Sequence, residues 1–119
     1  MRALGNFIGG AFVPPTGEAL VSRNPAADGA VVFETGTTVD AVDAAAHAAA
    51  AAQPAWGRLG IADRAAALAR WKDAIAARAA DLADAIVLET GKIRSEAQQE
   101  IQTVLARFDV ARALATADL

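Results

Sequence analysis

The sequence predicts an α/β chain, with short β-strands and turns over residues 1–36 and about four α-helices over residues 37–119. Three observations predict it. Up to Gly36 the apolar residues come in short β-branched or aromatic runs separated by glycine and proline pairs. After Gly36 they recur at spacings of three and four. Alanine makes up roughly three residues in ten, and it lies mostly in that second part, where it favours helix.

Each element has a local reason. Phe7-Ile8 and Ala11-Phe12-Val13 flank Gly9-Gly10, a pair able to take the positive φ angles of a tight hairpin turn. Pro14-Pro15-Thr16-Gly17 is a second turn. Ala19 to Ser22 is a strand leading into Asn24-Pro25-Ala26, and Asp28-Gly29 turns the chain again. Ala30 to Thr35 is the best strand candidate, being β-branched and aromatic. Thr37 or Thr38 can cap the first helix, with Asp40 in its first turn. That helix is expected to stop at about Gln53, because Pro54 lacks an N–H and disfavours helix before it. Trp56 then falls in a connector, as an apolar plug.

A second helix is expected from near Ile61, with Ala65, Leu68, Trp71 and Ile75 on its buried face and Arg64, Arg70, Lys72 and Arg78 outside it. Asp81 or its neighbour starts a third helix, ending at Gly91, a residue suited to a left-handed C-terminus. Lys92 follows at the negative end of that helix dipole and is placed to pair with Glu96. The last helix starts near Ile93 and presents Ile93, Ala97, Ile101, Val104 or Leu105, Phe108 and Ala111 as one stripe. It is expected to run to about Ala115 and fray or be cut off at Asp118-Leu119, as though the sequence stopped partway through a larger fold.

Composition narrows the function. With 119 residues there is enough chain for one domain and a modest core. The aromatic share of 5% leaves few large anchors, so the 55% hydrophobic content overstates that core. A net charge of −3, with basic residues spread singly, argues against nucleic-acid or membrane-surface partners. The absence of cysteine excludes disulfides, thiolate metal sites and a cysteine nucleophile within these residues. Neither a signal-peptide core nor a membrane span is legible, and a cytoplasmic location is the expectation.

No self-contained active site emerges. Gly91-Lys92 is not a phosphate loop: Ile86 stands where the motif needs glycine, and a helix precedes it where a strand is required. No G-x-G-x-x-G occurs. His47, the single histidine, has only Asp43 one turn away and reads as a solvent-facing residue. Ser22 and Ser95 lack a base. Glu96 and Glu100 share a helix face, without a histidine, and read as a solvated pair. Trp56, Trp71 and Phe108 read as core. No catalytic, cofactor-binding or metal-ligating residue is therefore assigned.

The order of landmarks carries more than any one of them. Asn6-Phe7-Ile8-Gly9-Gly10, Arg23-Asn24-Pro25-Ala26, Thr38-Val39-Asp40, Pro54-Ala55-Trp56, Ala62-Asp63-Arg64 and, above all, Glu89-Thr90-Gly91-Lys92 with Glu96-Ala97 and Glu100-Ile101 resemble the beginning of an aldehyde dehydrogenase. Arg23-Asn24-Pro25, Trp56-Gly57-Arg58-Leu59 and Lys92 to Ala97 look most like the succinylglutamate-semialdehyde dehydrogenases of arginine catabolism. Two positions depart from the family pattern: Gln53 replaces a common aromatic and Ile93 a common proline.

The resemblance implies that residues 1–119 are the N-terminal segment of the NAD(P)-binding domain of such an enzyme. It implies an oxidoreductase that turns an aldehyde, such as a semialdehyde, into a carboxylate with NAD or NADP. The family's nucleophilic cysteine, glutamate base, oxyanion asparagine and cofactor glycines match no position here, so this chain is expected to be inactive alone. A small-molecule aldehyde and a homo-oligomeric assembly are the implied partners of the full enzyme. The last helix borders the substrate entrance in the family, which makes Ile101, Val104 and Phe108 its candidate lining residues. The alternative is a non-enzymatic helical interaction module or truncated paralogue.

Overall fold

A computed structural model describes residues 4–117, and the chain divides into two compact units, Met1–Arg58 and Leu59–Leu119. The first holds two antiparallel ribbons and a helix. Strands β1 (Asn6–Ile8) and β2 (Ala11–Val13) pair about Gly9-Gly10, both glycines at positive φ as the turn requires. Phe7 and Phe12 face each other across this ribbon, ring centroids 5.1 Å apart and edge-on. Strands β3 (Glu18–Asn24) and β4 (Ala30–Thr37) form the second ribbon.

Its turn is built by the Arg23-Asn24-Pro25-Ala26 motif. The Asn24 side-chain oxygen accepts the Ala26 N–H at 2.9 Å, and the Arg23 guanidinium donates to the Gly29 carbonyl at 3.1 Å. The register passes from Ser22↔Phe33 to Arg23↔Val31, so Val32 is the extra residue of a β-bulge. Val32 is also the one buried apolar residue of this unit among those described.

Helix α1 (Asp40–Gly57) packs on β1 and buries no residue fully. The Thr38 hydroxyl accepts the Asp40 N–H at 3.2 Å, and Asp40 and Asp43 occupy the first turn. The expected stop at Gln53 is corrected: the helix runs through Pro54 to Gly57, so Trp56 lies in its last turn and not in a connector. Proline's fixed φ is compatible with helix. Its missing N–H falls near the end of an exposed helix, where water can serve the freed carbonyl.

The second unit is three helices: α2 (Ile61–Ala77), α3 (Ala79–Thr90) and α4 (Arg94–Ala117). α4 packs chiefly on α3 and less on α2. Ala83 of α3 and Ala97 of α4 are 0% exposed and Ile101 is 7% exposed, so small residues let these two helices approach closely around one large side chain.

The expected face of α2 is corrected. Ala65 and Ile75 are half-buried, but Leu68 and Trp71 are exposed, Trp71 by 53%, while Ala69 and Lys72 turn inward. On α4 the alternative Val104 or Leu105 is resolved to Leu105, which takes the inward position; the expected stripe is corrected at its ends, where Ile93 and Ala111 are exposed, Ile93 preceding the helix. α4 continues past the expected Ala115 to Ala117, and the expected fraying at Asp118-Leu119 lies outside the described residues.

Candidate functional site

The joint between α3 and α4 is the most sharply built local structure in the chain. Gly91 adopts φ 71°, the left-handed conformation, and its N–H donates to the Val87 carbonyl at 2.9 Å. The Thr90 hydroxyl donates back to the Ile86 carbonyl at 2.7 Å and accepts the Lys92 N–H at 3.4 Å. The Ile93 carbonyl then takes the N–H groups of Glu96 and Ala97, opening α4. Two ion pairs brace the joint: Lys92 of the connector with Glu100 of α4, and Arg94 of α4 across to Asp84 of α3.

The expected Lys92–Glu96 pair is thus replaced by Lys92–Glu100. Lys92 stands just ahead of the helix, and its long stem lies back along α4 to the second turn. With Glu100 so neutralised, the Glu96/Glu100 pair is not a free dicarboxylate. Both residues are exposed, as is His47.

A second cluster was not legible in the sequence. The Lys72 ammonium lies 2.6 Å from an Asp109 carboxylate oxygen and 5.5 Å from the centre of the Phe108 ring. Lys72 counts as polar in any periodicity reading, yet its stem covers apolar surface while its charge meets α4. Nothing local couples positions 72 and 109, so no sequence signal could have paired them. Replacing Lys72 with Met keeps the stem and removes the charge. The expected cost is up to about 1 kcal/mol, since Asp109 is half solvent-exposed. Urea unfolding at low salt and at about 1 M salt checks it, because only the low-salt difference should persist.

The three candidate entrance residues separate by burial. Ile101 lies in the α3–α4 contact, Phe108 is half-buried beneath Lys72, and Val104 is 43% exposed. Trp56 and Trp71, expected in the core, are both exposed. Two open hollows stand out. One, of about 410 Å³, is lined by Asn6, Leu20, Phe33, Thr35, Thr37 and Thr38 among others, and has no ionisable side chain to transfer a proton. The other, of about 420 Å³ on α4, is lined by Gln99, Gln102, Thr103, Ala106, Arg107 and Val110, with a single cation and no base.

The residues described do not fit a dinucleotide. The connector from β4 to α1, Thr38-Val39, has no glycine, and Asp40 and Asp43 place negative charge where a pyrophosphate would meet the helix N-terminus. Among the described residues, no three His, Asp or Glu side chains converge as metal ligands.

Comparison with known proteins matches residues 12–118 to the model of the aldehyde dehydrogenase family. The N-succinylglutamate 5-semialdehyde dehydrogenase of Chromobacterium violaceum is 38% identical over 104 residues, 87% of this chain and 21% of that protein. The enzymes of the same name from Paraburkholderia xenovorans and Escherichia coli K12 are 36% and 35% identical over the same shares. The crystal structure of an NAD-dependent benzaldehyde dehydrogenase from Corynebacterium glutamicum superposes with a TM-score of 0.82 at 27% identity, over 91% of this chain and 24% of that one. The chain spans about a fifth of the length of the curated relatives it matches.

Proposed function

This chain belongs to the aldehyde dehydrogenase family, and from that premise we propose that it is the N-terminal segment of the NAD(P)-binding domain of an enzyme oxidising an aldehyde to a carboxylate. N-succinylglutamate 5-semialdehyde is the proposed substrate, supported by the curated relatives of that name. The single observation that carries the reading is the family match over residues 12–118.

In the whole enzyme, NAD(P)+ would supply the hydride acceptor, held by residues other than those described here. This chain's own residues do other work in the proposal. Gly91 and the Lys92–Glu100 and Arg94–Asp84 pairs set the angle at which α4 leaves α3. α4 then presents Val104 toward the aldehyde entrance, with Ile101 and Phe108 holding the helix behind it. A nucleophile, a general base and a cofactor site are supplied by residues beyond those here, so the isolated chain is inactive.

A domain graft tests this. These 119 residues replace the matched segment of the Escherichia coli relative, and NAD(P)H formation is followed with N-succinylglutamate 5-semialdehyde. The graft is expected to turn over and the isolated chain to give only background. A folded graft without activity overturns the enzyme reading, and robust turnover by the isolated chain overturns its dependence on further residues. In the active graft, Val104→Trp is expected to raise KM for the aldehyde several-fold with kcat and thermal stability little changed. An unchanged KM removes Val104 from the entrance.

The alternative, a non-enzymatic helical interaction module or truncated paralogue, draws on the exposed Leu68 and Trp71 of α2. If the isolated chain is a monomer that binds no hydrophobic dye, that reading loses its basis.

A further inference from the structure

No further inference is drawn: the strongest candidate, the exposed apolar row of Leu68 and Trp71 on α2, carries nothing because nothing in the structure shows what covers it.

Discussion

Replacing Ile101 with alanine is expected to cost about 2–5 kcal/mol, a large share of the stability of so small a helical unit. Among the described residues of this unit three are buried, and Ile101 is the one large side chain of the three; Ala83 and Ala97 bring the backbones together around it. Truncation would leave a void that neither alanine can fill, and the helices cannot close further because Ala83 and Ala97 are already fully covered. Val104→Ala, one turn away on an exposed flank, should change stability by less than about 0.5 kcal/mol. Urea unfolding followed by helical circular dichroism separates the two. Equal costs at both positions would mean that α4 buries a different stripe from the one described.

The second large effect is expected at Gly17, where the chain enters β3. Its φ is +86°, and a Cβ added there would stand 2.1 Å from the Thr37 carbonyl oxygen, the backbone of the strand end it adjoins. Backbone cannot move aside as a flexible side chain can. Gly17→Ala therefore incurs the left-handed strain of about 1–2 kcal/mol and must also open the Glu18↔Thr37 end of the ribbon. Gly10 provides the control: its φ is +87°, but a Cβ there meets nothing within 4 Å. Gly10→Ala should show the strain alone. Amide hydrogen exchange at the Glu18 and Thr37 end should accelerate in Gly17→Ala and stay unchanged in Gly10→Ala. Equal exchange in both variants would show that close approach to Thr37 plays no part.

The ordering of elements was legible because local rules dominate it. Glycine pairs made the first hairpin, Asn24-Pro25 the turn of the second, Thr38 and Asp40 the start of α1, and Gly91 the end of α3. Each of these acts through groups within a few residues. The family assignment was legible for a related reason: its landmarks are caps and turns, short motifs whose identity and order survive in sequence. For the proposed entrance, the sequence named three residues of α4 but not which of them the fold leaves exposed, since that depends on the helices packed against it.

By itself, then, the sequence determined the run of strands into helices, the glycine-dependent joints and membership of the aldehyde dehydrogenase family. Only the tertiary structure decided which face each helix buries. Periodicity counted Leu68 and Trp71 as inward because they are apolar, left Val104 and Leu105 as alternatives, and counted Lys72 as outward because it is charged. Burial instead depends on what the neighbouring helix offers. The Asp109 carboxylate and the Phe108 ring satisfy an ammonium at the α2–α4 contact, so Lys72 turns in and the apolar row is left at the edge. The same holds at the α3–α4 joint, where Lys92 reaches past Glu96 to Glu100.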